Sequence, residues 1–557
     1  MTFQSLFLKA GVALSLFYTK WSALRQLKNA CKAPDAAQKK ALSTILSSNC
    51  DTSFGKAYNL ASVLTINDYQ ATIPIGDYEL LRPYIDQQIA TSEYTLTPEN
   101  PFLYAQTSGT TAEPKYIPIL NKTLASYKRS QRISACSQYY GIDGIFSGKI
   151  MAIVSPAVEG YLPNGVPYGS MSGVVYQTMP SFFSSKYVLD AALFNIKDYE
   201  TKYKLIALFS MMEQNISCIA TANPSTIIKI THVINTHFDA LIQSIAIGNL
   251  SGLHLELEPA LKENLVKKCF ANPAWAAKLK QAYAQNNVIF LRDLWPNIRA
   301  VLTWTSGNCA VLLPALKRQL PSHTRVVEMG YLSSEFIGTI TIDCIENIGV
   351  PTLEENFFEF AEVNTWESGE KHTLLLSDLK KDILYYIIVT TPHGLYRYFI
   401  NDIVKVTGFY HKTPTLVFVQ KGKGVTSMTG EKLYESQVIQ AMSNLCGQQN
   451  ISIDFFMMIA DKKASSYTLY VEGIDTVECS QLSQIVCTTL GEVNLEFKTK
   501  LDSGRISFKG IKTLKIGTLE AYKKQCVNDG QREGQFKLVK LKYRDEISFS
   551  FEEHIVS

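Results

Sequence analysis

The sequence predicts an α/β chain: a large N-terminal domain of helix-wrapped sheets or a barrel, and a smaller C-terminal α+β domain. Three observations carry that expectation. From about residue 100, short β-rich runs alternate with longer helical patterns, as in parallel sheets covered by helices. The chain then changes character at Gln420-Lys421-Gly422-Lys423-Gly424-Val425, after the β-rich run Leu416-Val417-Phe418-Val419. Finally, 557 residues, 46% of them hydrophobic and 19% charged, supply ample core. The expected division is 1–420 and 421–557, with a hinge at Lys421 to Val425.

The elements follow in order. Residues 1 to about 50 read as helices, punctuated by Pro34-Asp35 and Ser47-Ser48-Asn49. Ser5 to Tyr18 is apolar, but Lys9 interrupts it and neither a cationic stretch nor a cleavage site flanks it. It is too short to span a bilayer. It reads as an amphipathic helix packed on the body, with a membrane-surface role as the alternative. Ile150 to Ser155, Ser217 to Pro224 and Ala300 to Gly307 read as buried strands, each followed by a helical stretch. Ligands of such sheets sit at the carboxyl ends of strands, which places Ser155, Asn223 and Ser306 there. Beyond the hinge come a helix from about Tyr434 and a hairpin of Ile451–Ile459 with Tyr467–Val471. A helix, a strand and another helix complete the small domain.

Composition excludes several classes. The net charge of +4 is small for this length, and no basic block interleaved with aromatics suggests nucleic acid. Eleven cysteines lie scattered without a C-x-x-C pair or a cysteine–histidine cluster. They read as free thiols in a reducing cytosol. His232 and His237 do not have metal-helix spacing. A cytoplasmic monomer without an integral membrane segment is expected.

Four motifs can carry chemistry. In Thr107-Ser108-Gly109-Thr110-Thr111, hydroxyl residues flank one glycine, with Lys115 and a strand-like Tyr-Ile-Pro-Ile following. Such a loop can turn amides and hydroxyls onto phosphate, though the same composition occurs in ordinary surface turns. It has neither Walker nor Rossmann spacing. In Gly330-Tyr331-Leu332-Ser333-Ser334-Glu335, after the strand-like Thr324 to Val327, Tyr331 can cover a planar base and Glu335 can bind magnesium. The alternative is a helix N-cap at Ser333 or Ser334. Asp402, in Gly394 to Val406, can accept hydrogen bonds from both ribose hydroxyls, or can be a turn aspartate. Lys537, in Gly534-Gln535-Phe536-Lys537, is by itself indistinguishable from a surface lysine.

In this order, and with Gly165-Val166-Pro167-Tyr168-Gly169 and Gly517-Thr518-Leu519-Glu520 between them, the motifs resemble the plant auxin-responsive Gretchen Hagen family of acyl-acid–amido synthetases. The resemblance covers nearly the whole chain. It implies the adenylate-forming fold shared with acyl-CoA synthetases and firefly luciferase. It also implies ATP and magnesium as cofactors, and a small carboxylic acid and an amino acid or other amine as substrates. Thr107, Ser108, Gly109, Thr110 and Thr111 would hold phosphate, Tyr331 and Ser334 the nucleotide, Glu335 magnesium and Asp402 ribose. Lys537 would reach phosphate or the adenylate carboxyl oxygen.

Gly330, Ser333 and Ser306 are expected at the substrate, with Tyr127, Arg129 and Met171 as possible lining. Phe399 and Asn401 stand where the family has arginine and glycine, with a Tyr396-Arg397 pair two residues upstream. Val539 replaces the proline after the terminal lysine frame. These departures point to a bacterial member. No Ser-His-Asp or Cys-His set is present, and adenylation requires no protein nucleophile. A thiol acceptor such as coenzyme A, or a non-catalytic nucleotide-binding role on the same fold, are the competing readings.

Overall fold

The computed structural model describes residues 3–107, 114–253, 255–422, 424–429, 431–449, 451–474, 479–529 and 538–556. The helical N-terminus is as expected: Phe3–Thr19, a π-helical turn Lys20–Leu24, Arg25–Ala30 and Pro34–Asn49. Pro34 opens the last of these, where its missing N–H costs nothing. One face, with Gln38, Leu42, Ile45 and Leu46, is buried. The Gln38 amide donates to the carbonyls of Leu353 and Asn356 and accepts from the Phe358 N–H, which ties this helix to the strand Phe357–Glu362.

Strands Lys149–Ala152, Ile216–Ala220, Ala300–Thr303 and Arg325–Glu328 form a parallel sheet in that order. Their nearly continuous apolar runs fit a sheet buried on both faces. Helices Tyr199–Met212, Pro224–Thr236, Phe238–Ile247 and Pro273–Asn286 contribute to one core with Met151, Ile219 and Val301. A second sheet pairs Leu103–Thr107 with Lys115–Ile119 antiparallel, and with Pro167–Gly169 parallel.

The third sheet is a four-stranded antiparallel meander of Phe357–Glu362, Leu384–Thr390, Tyr398–Tyr410 and Thr413–Lys421. The expectation of parallel sheets therefore holds for one layer of the large domain only. Hairpin loops of few residues join the meander's last strands, and such connections can only make antiparallel pairs.

The C-terminal sheet runs Ser507–Leu514, Ser466–Glu472, Phe455–Asp461, Leu541–Tyr543. Phe456, Met458 and Ala460 face a core shared with the helices Glu435–Gln449 and Cys479–Val493. Phe455, Met457 and Ile459 face a second core with Tyr522 and Phe551. The period of two in that run serves two apolar layers instead of one.

Candidate active site

The candidate site is built around the end of the strand Arg325–Glu328. The Glu328 carboxylate accepts from Thr305 N–H (2.7 Å), Thr305 Oγ1 (2.6 Å), Ser306 Oγ (3.3 Å) and Gly330 N–H (3.0 Å). It thereby locks two adjacent strand ends together. Gly330 has φ +91°, and a Cβ there would lie 2.9 Å from the Thr339 carbonyl oxygen, so glycine is required. The chain then folds back through an isolated bridge between Leu332 and Ile337. Ser333 closes this turn: its hydroxyl donates to the Phe336 carbonyl (3.1 Å) and accepts from the Phe336 N–H (3.2 Å). No helix begins here, so the N-cap alternative for Ser333 and Ser334 falls. Of the residues expected at the substrate, Ser306 and Gly330 bond to Glu328 and Ser333 bonds within the turn.

Glu335, half-buried, sits at the tip of that turn. Its carbonyl oxygen receives the Nε2 of buried His393 at 2.7 Å. With a carbonyl as partner, Nε2 must carry the proton. Burial pushes the His393 pKa down to about 4, so the ring is a neutral donor.

Tyr331 is buried, stacked on Phe418 at 5.7 Å and edge-on to Phe336 at 5.5 Å. Its hydroxyl donates to Asp402 Oδ2 at 2.6 Å. Burial first, and the Asp402 charge second, push its pKa well up, so the phenol stays protonated. The ring expected to cover a base thus packs on Phe418 and Phe336 while its hydroxyl holds Asp402. Asp402 is fully buried inside the strand Tyr398–Tyr410, not in a turn. Its other oxygen is ion-paired with Lys421, the last residue of the neighbouring strand. Burial disfavours the Lys421 charge, but the carboxylates of Asp402 and Glu335 overcome it and the pKa is raised.

Thr107 ends the strand Leu103–Thr107, buried and paired with Lys115. Burial lowers the Lys115 pKa, while the charges of Glu335 and Asp77 oppose that shift. Tyr398 is also buried and lies in the field of Glu335. Lys115, Glu335, Asp402 and Lys421 thus belong to one electrostatic cluster, with Thr107 as the strand partner of Lys115. Ser334 is half-buried beside it. Ser108, Gly109, Thr110, Thr111 and Lys537 lie outside the described residues. Arg129, a possible pocket residue from sequence, is committed to ion pairs with Glu354 (2.7 Å) and Glu355 (3.2 Å).

Among the described residues no group of three or more His, Cys, Asp or Glu could hold a metal ion. Magnesium bound by one carboxylate and substrate phosphates needs no such cage, and the half-exposed Glu335 carboxylate, in the field of the Lys115 that pairs with Thr107, fits that chemistry. Asp402 is less accessible: a ribose would have to displace Lys421. A cavity of about 690 Å³ opens on the other face of the meander, lined by Asp77, Trp366, Lys371, Arg397 and Phe399 among others. Successive strand residues point to opposite faces, so Phe399 faces this cavity while Tyr398 faces the charge cluster.

Profiles of three domains match the chain in order. They are the GH3 family N-terminal domain over residues 23–325, its central domain over 349–421 and its C-terminal domain over 436–543. The chain belongs to the GH3 family. Indole-3-acetic acid-amido synthetase GH3.3 of Arabidopsis thaliana is 23% identical over 551 residues, covering 93% of this chain and 91% of that one. The 4-substituted benzoates-glutamate ligase GH3.12 of the same plant is 23% identical over 550 residues, covering 92% and 94%. Among solved structures, a GH3.15 acyl acid amido synthetase superposes with a TM-score of 0.81 at 22% identity over 96% of each chain. A 2-hydroxyisobutyryl-CoA ligase in the postadenylation state gives 0.53 at 12% identity over 93% and 90%. These superpositions establish the adenylate-forming fold.

Within the GH3 frame the departures acquire physical explanations. Asn401 has φ +61°, a left-handed conformation that glycine adopts freely and asparagine tolerates better than other side chains. Phe399, in place of arginine, stacks on Trp366 at 5.2 Å. Arg397, two residues upstream, is buried in a bidentate pair with Glu359 (2.8 and 2.9 Å) and also donates to the carbonyls of Gln70 and Ile73. It is a structural residue. Sequence reading assigned no role to Glu328, His393 or Lys115, and took Lys421 for a hinge residue. Only the period of the flanking strand offered a signal for Lys421, since it ends an apolar run directly opposite Asp402.

Proposed function

We propose that this GH3 protein is an ATP-dependent acyl-acid amido synthetase, a cytoplasmic monomer that adenylates a small carboxylic acid and conjugates it to an amino acid or other amine. The observation that carries this reading is the convergence of Thr107, Lys115, Glu335, Asp402 and Lys421, drawn from two separate sheets and the turn at Glu335. The names of the Arabidopsis relatives, amido synthetase and glutamate ligase, agree with it.

In the first half-reaction a carboxylate oxygen attacks the α-phosphorus, and the bond to pyrophosphate breaks. In the second, the amine attacks the acyl carbon, AMP leaves, and the nitrogen loses a proton. Both anionic partners of the first step need cations nearby in the transition state. Lys115 and Lys421 are placed to supply that charge, and Lys537 is assigned the same task from the small domain. Magnesium, held by Glu335, would offset charge on the phosphates. Thr107 to Thr111 bind phosphate, Tyr331 and Ser334 support the nucleotide site, and Asp402 takes the ribose once Lys421 turns aside. Lys421 ends a strand of the large domain and opens the 421–425 hinge, so a swing of residues 421–557 would couple its release to closure. The gap between the matched central and C-terminal domains, 422–435, supports that division.

The test is pyrophosphate release with ATP, magnesium and a panel of aryl, indole and aliphatic acids. Each acid is run alone, with mixed amino acids, and with coenzyme A. Acid-dependent release that rises with amino acids is expected, with a loss on the order of a hundredfold in Glu335→Ala and Asp402→Asn. Stimulation by coenzyme A alone would reassign the acceptor. No release, together with no thermal shift from ATP, would overturn the reading.

A further inference from the structure

The first helical segment has two apolar stripes, and the body of the protein covers only one. Leu16, Thr19, Leu24 and Leu27 are buried, and the Leu16 carbonyl accepts the Cys136 thiol of the helix Asn121–Gly141 at 3.5 Å. That stripe docks the segment. Leu14, Phe17, Tyr18 and Trp21 follow the i, i+3, i+4, i+7 spacing that places residues on one helix face. They are 70%, 54%, 72% and 58% exposed. Phe17 and Trp21 pack together at 6.2 Å between ring centroids. Tyr140, 47% exposed, adjoins them through Lys20, whose ammonium lies 4.0 Å over its ring. Three aromatics and a leucine on one exposed face form the kind of patch that marks an interaction surface.

The charge of the segment says what it meets. Residues 1–34 contain Lys9, Lys20, Arg25, Lys28 and Lys32 and no aspartate or glutamate. The rest of the chain holds 49 basic residues against 50 acidic ones, so the protein's net positive charge comes from this segment. Lys20, Arg25 and Lys32 are exposed. Amphipathic rings flanked by exposed cations, without acids, are the chemistry of a helix lying in a lipid interface. Among the described residues no helix is long and apolar enough to cross a membrane, so insertion of this kind is peripheral. The sequence before Leu14 adds Phe3, Leu6, Phe7 and Leu8.

We propose that the N-terminal helix docks the enzyme on an anionic lipid surface, with Phe17, Tyr18 and Trp21 entering the headgroup layer and the flanking lysines and arginine neutralising lipid charge. Electrostatic attraction alone would be lost in salt, and apolar burial alone would not distinguish lipids.

The test is co-sedimentation of the full chain with vesicles of phosphatidylcholine and phosphatidylserine (3:1) against pure phosphatidylcholine. Brominated lipid serves as a quencher of Trp21. Expected is binding to the anionic vesicles at least tenfold stronger than to the neutral ones. It should fall at least tenfold in Phe17→Ser/Trp21→Ser and in Lys20→Glu/Lys32→Glu, with melting temperatures unchanged because all four side chains are exposed. Quenching should vanish selectively in Trp21→Phe. Equal binding to both vesicle types, no binding, or wild-type binding by the double variants would overturn the proposal. So would a concentration-dependent dimer, seen by light scattering, that Phe17→Ser/Trp21→Ser abolishes. In that case a second copy covers the face.

Discussion

His393 shows how one buried side chain can position a neighbouring carboxylate through its backbone. It is enclosed, neutral, and bonded to the backbone of Glu335 and not to its carboxylate, so it sets where the carboxylate stands without competing for its charge. Its folded pKa of about 4 lies below the ordinary value of 6.5. The unfolded chain therefore takes up a proton first as pH falls. The associated stability is present above about pH 6.5 and is lost progressively down to about pH 4. Urea midpoints between pH 7 and 4.5 should fall less steeply in His393→Gln than in the wild type. His393→Ala frees the Glu335 carbonyl and should raise KM for magnesium-ATP on the order of tenfold, as lost outer-shell support of a metal site does.

At the scale of elements, the antiparallel meander is the frame for Asp402. Arg397 fastens that frame: its guanidinium bridges Glu359 on the strand Phe357–Glu362 and two carbonyls in the 70–73 segment. Both partners are almost fully buried, so each is costly without the other. Arg397→Met strands the Glu359 carboxylate and should lower unfolding stability by about 3–5 kcal/mol. The double variant Arg397→Met/Glu359→Leu should recover much of that loss, and a double-mutant cycle by urea unfolding checks it. Similar losses for the double and single variants would show that packing, not the charge pair, holds the frame. The neighbouring strand supplies Lys421 in register with Asp402, which is how a lysine read as part of a hinge comes to neutralise the buried aspartate.

For the molecule as a whole, polar contacts link residues 1–420 to residues 421–557. Glu367 accepts from Tyr434 (2.9 Å) and Lys432 (3.2 Å), and Lys229 pairs with Glu520 at 3.2 Å. Contacts of this polar kind are compatible with relative domain motion. Nearby, Lys540 is buried with its ammonium 4.8 and 4.5 Å over the rings of Phe455 and Phe456. Burial pushes its pKa down to about 7, against the opposing pull of Glu435. Because the folded pKa is below the unfolded one, stability should rise with pH between about 7 and 10.5. Lys540→Met should show a smaller rise in urea midpoint from pH 7 to 9 than the wild type. An equal rise would place the proton elsewhere.

The sequence by itself determined the order of the motifs, the alternation of strands and helices and the C-terminal hairpin, and it singled out Glu335 and Asp402 as candidates. These are local signals: apolar period, turn chemistry and a motif order that resembles the GH3 family. Tertiary structure decided what those residues touch. Tyr331 reaches Asp402 across 71 positions, His393 reaches Glu335 across 58, and Arg397 reaches Glu359 across 38. No periodicity within one element can encode such pairs, because each depends on which strands become neighbours and on their register. Ser333 and Tyr331 were legible as members of a motif, but that their hydroxyls meet the Phe336 backbone and Asp402 was not. A polar side chain removed from water must find its partner inside the fold, and where that partner lies is settled only when the layers close.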